Sequence, residues 1–218
     1  MRASAYYEAR VVFGWATLLP ALLLPAYALL AWLNWSAYRA TPQLGELVSA
    51  FVLGLPLCAG LAATHLMAIE REEGFDDLRR TYPERSWWLP VRRTLGGLIA
   101  VGISAVITGV IFHFAYGDYA PETVILPAVP PALYLMALAL LIGNLTGGYW
   151  AAASVIVGYW FLEFESLGAF TMSFFLFNPI MPIRSVDPSL NRALLVGLAL
   201  GLLALNVAYT GWRRARGG

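Results

Sequence analysis

The chain has 218 residues, of which 60% are hydrophobic and only 12% charged, with a mean hydropathy of +0.68 and a formal net charge of +1. Soluble domains carry about a quarter charged residues, so this composition excludes an ordinary soluble enzyme or binding module. The near-zero net charge also argues against a nucleic-acid-binding surface.

Residues 1–10, MRASAYYEAR, precede the first apolar run. No small-residue cleavage site follows that run, so a secretory leader is not expected. A short interfacial helix with Tyr6 and Tyr7 at headgroup level is expected instead. Apolar runs of roughly 17–25 residues suffice to cross a bilayer core about 30 Å thick. Six are read, at about 11–33, 47–68, 95–116, 124–143, 147–162 and 193–212. Pro20, Pro25 and Pro56 lie inside spans, where proline kinks helices. The only cysteine, Cys58, also lies in a span; no internal disulfide exists, and a small buried hydrophobe is the expected role.

All 14 basic residues are Arg. That usage points to a GC-rich, bacterial genome. It also excludes the phosphate-cradling loop G-x-x-x-x-G-K-[ST], whose Lys reaches the terminal phosphates. Cytoplasmic termini place 11 Arg inside and three outside (Arg39, Arg184 and Arg192), in accord with the positive-inside bias. The expected location is therefore the bacterial cytoplasmic membrane, multi-pass, with both termini cytoplasmic.

Between the second and third spans lies one dense block of charge, residues 69–93, IEREEGFDDLRRTYPERSWWLPVRR. It holds 12 of the 27 charged residues of the chain. Glu70 to Arg80 has helical character, and Pro83 stops it near Tyr82. Phe75, Leu78 and Tyr82 fall on one face, and Asp76 and Asp77 can pair with Arg80. Gly74 permits a bend or a close backbone approach. The Trp87–Trp88 pair and Pro90 bring the chain back to the interface. A helix of this kind, pinned at both ends by spans, suits docking to another protein.

Glu70-Arg71-Glu72-Glu73-Gly74-Phe75-Asp76-Asp77-Leu78, followed by Tyr82-Pro83-Glu84-Arg85, resembles the coupling segment of type-2 ABC exporter permeases. That family reads approximately E-R-x-x-G-T-x-E-x-L and then T-x-P-x-x-R between its second and third spans. Here the usual Thr is Phe75 and the usual Glu is Asp77, while Arg92 or Arg93 stands for a basic residue that often opens span 3. Six spans, an N-terminal interfacial helix and an irregular apolar segment between spans 5 and 6 agree with the family layout. The resemblance implies an all-α membrane protein forming one transmembrane domain over 1–218. It implies a permease subunit that is not itself an enzyme, paired with a second permease chain, identical or paralogous. Separate nucleotide-binding subunits would bind ATP and Mg, and this chain would carry no cofactor. Phe75 and Leu78 would be the knob that enters the nucleotide-binding subunit, and Arg71, Asp76, Asp77 and Arg79 would set its register. Glu70, Gly74, Tyr82 and Pro83 complete the coupling set.

The second segment of interest is 163–192, whose apolar first part, EFESLGAFTMSFFLFNPIMPI, is punctuated by Glu163, Glu165, Gly168, Pro179 and Pro182. A re-entrant or half-membrane helix is expected here. Acidic residues at membrane depth are costly and often functional, so Glu163 and Glu165 are candidates for an outer gate. Headgroup-level caps on span 5 are the plainer alternative. Tyr159 and Trp160 on span 5 are candidates for a greasy translocation path, beside the alternative of belt and packing aromatics. His65 and His113 fall on opposite sides of the membrane and cannot share a metal. Asn144-Leu-Thr146 and Asn34-Trp-Ser36 match a glycosylation pattern but hug the membrane. A small intramembrane enzyme would need a nucleophile–base pair or a metal constellation; no G-x-S-G or H-E-x-x-H is present. A scaffold that recruits a cytoplasmic partner through 69–93 is the remaining alternative.

Overall fold

The computed structural model describes residues 11–12, 14–38, 44–72, 87–117 and 119–216. Among them all regular structure is helical: α1 (Trp15–Tyr38), α2 (Leu44–Glu72), α3 (Trp88–Tyr116), the short α4 (Pro121–Ile125), a 3₁₀ turn (Leu126–Ala128), α5 (Val129–Thr146), α6 (Tyr149–Ser166), a second 3₁₀ turn (Met172–Phe174) and α7 (Pro188–Arg216). Five stretches are long and apolar enough to cross a membrane: Trp15–Leu33, Leu44–Ile69, Trp88–Ala115, Pro121–Thr146 and Pro188–Arg213. Large apolar side chains such as Leu19, Leu30, Ile99, Ile103, Phe114 and Leu200 point away from the bundle. Helices apolar on both their inner and outer faces are those of a multi-pass membrane protein, in which lipid replaces water outside.

The predicted fifth span, 147–162, appears as α6 but is not among these five. Its 18 residues at about 1.5 Å each reach about 27 Å, close to the hydrocarbon thickness. Tyr149, Trp150, Tyr159, Trp160, Glu163 and Glu165 make it less apolar than the rest. Helix α3 begins at Trp88 rather than near 95, so Pro90, Arg92 and Arg93 belong to its first turns. Proline is accepted there because the first N–H groups of a helix have no intrahelical partner. Pro130 and Pro131 open α5 in the same way. The expected interfacial helix at 1–10 lies outside the described residues.

Helix α2 is the centre of the bundle. It packs against α1, α3, α4, α5 and α6, and its Phe51, Val52, Ala62, Ala63, Leu66 and Ala68 are completely buried. The α2–α5 crossing is tight because Gly143 carries no side chain. A Cβ there would lie 2.8 Å from the Thr64 carbonyl oxygen. Gly147, left-handed with φ 68°, then ends α5, its N–H donating to the Gly143 carbonyl. Asp187 precedes helix α7 and caps it, its carboxylate accepting from the Ser189 amide and hydroxyl, both at 2.7 Å. The Ser189 hydroxyl and amide hold that carboxyl below the usual carboxylate range. The cap is therefore complete above about pH 3.9 and is lost as pH falls through the lower folded value.

Gly143→Ala should destabilise the bundle by about 1–3 kcal/mol, because the obstructing atom is backbone and cannot rotate away. Thermal unfolding of the purified protein in a constant detergent checks this; an unchanged midpoint would mean that the two helices do not cross at Gly143.

Candidate functional site

The charged block is described only at its flanks. Glu70 and Arg71 belong to the last turn of α2, whereas Gly74, Phe75, Asp76, Asp77, Leu78, Arg79, Tyr82 and Pro83 lie outside the described residues. The two helices that bracket the block are joined. Arg93, on α3 and fully buried, donates through Nη1 to the Leu66 carbonyl oxygen of α2. One residue earlier on α2, buried His65 places Nε2 at 3.1 Å from the Val11 carbonyl and 3.1 Å from the Thr17 hydroxyl. With its proton on Nε2 the ring donates to the Val11 carbonyl, which can only accept. Val12 lies where a Cβ on Gly96 would meet it at 2.6 Å. Thus the end of α2, the start of α3 and the chain entering α1 form one polar knot beneath the charged block.

A second clasp closes the same end of the bundle. Asn144 of α5 donates from Nδ2 to Asn206 Oδ1 (2.6 Å) and Thr210 Oγ1 (2.8 Å) of α7. Arg213 Nη1 donates to Asn144 Oδ1 at 3.4 Å. In an apolar environment such interhelical amide pairs hold helices in register. Asn144 therefore joins helices, a role distinct from that of a surface acceptor site.

At the opposite end, the segment between α6 and α7 folds back as a plug. It consists of turns and the 3₁₀ turn Met172–Phe174, and it inserts Phe175, Leu176 and Phe177, all fully buried, into the core. Two side chains hold it. Glu163 of α6, fully buried, accepts at Oε2 from the Thr171 hydroxyl (3.0 Å) and the Leu176 amide (3.3 Å). Asn191 of α7 donates from Nδ2 to the carbonyls of Ser173 (2.9 Å) and Phe175 (3.0 Å). Gly168, at φ 76°, makes the turn that seats the plug, with Phe175 and Ile183 where its Cβ would be. The other oxygen of Glu163, Oε1, is buried and has no hydrogen-bond donor among the described residues.

The four candidate residues at this end separate into two groups. Glu163 is buried one turn beyond Tyr159, whose ring packs edge-on against Tyr134 of α5 with centroids 5.8 Å apart. Trp160 donates from Nε1 to the Leu53 carbonyl of α2 (3.0 Å) and stacks on Phe164, with Phe177 edge-on to both. Glu165, by contrast, is exposed on the other face of α6. The two acids therefore do not share one environment. Sequence reasoning passed over Tyr134, Asn191 and Asn206 and gave Arg93 no partner. For Tyr134 and Asn206 a polar residue isolated within an apolar run was the available signal; Asn191, beside Arg192 at the start of a helix, carried none.

Comparison with known protein families, with curated proteins and with solved structures finds no match for this chain.

Gly168→Ala should unseat the plug, since it combines a left-handed backbone with contacts of 2.6 and 2.8 Å to Phe175 and Ile183. A cost of about 1–3 kcal/mol is expected. Faster hydrogen exchange at the Leu176 and Phe177 amides than in the wild type would register it; equal exchange would mean the turn bears no load.

Proposed function

We propose that this chain is the transmembrane permease subunit of an ATP-driven ABC exporter, working with a second permease chain and with separate nucleotide-binding subunits that carry ATP and Mg. The observation that carries the reading is the mounting of the charged block. Residues 69–93, which resemble the coupling segment of type-2 exporter permeases, hang between two long helices joined at Arg93 and the Leu66 carbonyl. A docking helix on so firm a base can pass a push from a partner into α2, and α2 touches most of the bundle. The chain contains no Lys for a phosphate loop, so the nucleotide falls to a partner.

On this reading α6 crosses as a sixth span, with the termini and the charged block in the bacterial cytoplasm. The plug then lies at the outer end, as a re-entrant element that closes the exit between Glu163 and Asn191. Tyr159 and Trp160 line the approach to it.

Two measurements test the reading. On a Cys58→Ala background, single cysteines at positions 76 and 119 should react with impermeant reagents from opposite sides of sealed vesicles, and so should cysteines at positions 146 and 170. Reaction of 146 and 170 from one side would leave α6 lying along the membrane. Second, Phe75→Ala removes the anchor of a small interface, a change that commonly costs about 2 kcal/mol or more. Gly74→Val should act in the same way by blocking close approach. Both variants should insert at normal levels yet lose subunit association and export. Wild-type assembly and export in both would reduce the block to a solvated loop.

A further inference from the structure

The carboxyl of Glu163 is served on one side only. Oε2 accepts from two neutral donors, Thr171 and the Leu176 amide, while Oε1 is buried with no donor among the described residues. A buried acceptor left unmatched is costly, and a ligand that supplies the missing donor would remove that cost. The same stretch of α6 is rich in aromatic rings: Tyr159 one turn earlier, packed edge-on against Tyr134 of α5, and Trp160 and Phe164, stacked on each other with Phe177 edge-on. Aromatic faces and a carboxylate attract the same kind of group, a cation, and the rings also suit an apolar tail.

We infer that Glu163 is a recognition point for the primary ammonium head of an amphipathic ligand, which competes with Thr171 and the Leu176 amide for the carboxylate and so releases the plug. An ammonium group brings a full opposite charge and three N–H donors, so one that enters at Oε1 reaches Oε2 of the same carboxylate as well and displaces the neutral Thr171 and Leu176 donors. Release of Leu176 and Thr171 frees one of the two attachments of the plug, and Asn191 remains as the hinge on α7. The plug thereby opens to the molecule that is to leave. That the ligand is also the exported molecule rests on the transporter reading, but the binding event belongs to this chain alone. The ammonium can come from an aminolipid headgroup or from a free amphipathic amine.

The test uses the full chain in lipid nanodiscs, without any ATPase subunit, with Cys58→Ala and Leu176→Cys as background. The thiol introduced at position 176 reports plug opening by its rate of reaction with a maleimide. In phosphatidylcholine, whose choline has no N–H, added dodecylammonium should raise the rate roughly tenfold, the size expected for a charge-assisted hydrogen bond, and dodecanol should not. Nanodiscs containing phosphatidylethanolamine raise the rate without additive if the lipid headgroup is the ligand; if they leave it unchanged while dodecylammonium acts, the ligand is a free amine. In Glu163→Gln the response to ammonium, measured relative to that variant's own basal rate, should vanish. Thr171→Val should raise the basal rate and retain the response, which separates a loosened plug from a lost site. Equal acceleration by dodecylammonium and dodecanol, an undiminished response in Glu163→Gln, or an equal loss in Glu165→Gln would each overturn the inference. Failure here would leave the docking of ATPase subunits at 69–93 untouched, and failure of that docking would leave this result standing.

Discussion

Helix α2 has 61% of its apolar window buried inside the protein, more than any other membrane-length stretch described. Its neighbours are placed by what they find on it. The missing side chain of Gly143 lets α5 reach the Thr64 carbonyl, Gly60 admits Ile156 of α6, and the Leu66 carbonyl receives Arg93 of α3. Within an apolar surround a polar group without a partner costs several kcal/mol, so these few contacts fix the angular position of each helix more firmly than apolar packing alone. Lipid is as apolar as leucine, and packing against it gives little preference for one helix face over another.

The two ends of the bundle are built on different principles. The end that bears the charged block is tied by cross-helix bonds at Arg93, His65 and Asn144. The opposite end is closed by a segment with little regular structure, held by one carboxyl and one amide on either side of it. Such a segment has a low cost of local opening compared with a helix whose every N–H is bonded internally. The two ends are connected through α2: Trp160 of α6 donates to the Leu53 carbonyl, and Gly60 packs against Ile156 of α6 and Leu135 of α5.

Much of this architecture is legible in the amino-acid order, because a bilayer imposes a length and an apolarity that can be counted. Runs 11–33, 47–68 and 193–212 fall within described helices apart from the first residues of 11–33. Boundaries were harder where proline and charge coincide: Pro90, Arg92 and Arg93 look like a loop, yet they open α3, since an N-terminal turn needs no proline N–H and Arg93 finds its acceptor on α2. The burial of Glu163 was not legible. Glu163 and Glu165 differ by two residues, which puts them on opposite faces of a helix, and only the return of the chain at Phe175 to Phe177 decides which face is covered. The interhelical role of Asn144 depends on Asn206, 62 residues away, and no local pattern records that pairing.

The central claim, that the block at 69–93 is the docking lever of a transporter, is tested most directly by isolating the chain from its native membrane and identifying what stays attached. Purification in mild detergent with Mg and a non-hydrolysable ATP analogue should recover a nucleotide-binding subunit in a one-to-one ratio with the permease chains. Recovery of this chain alone, or with a partner that binds no nucleotide, would contradict the account.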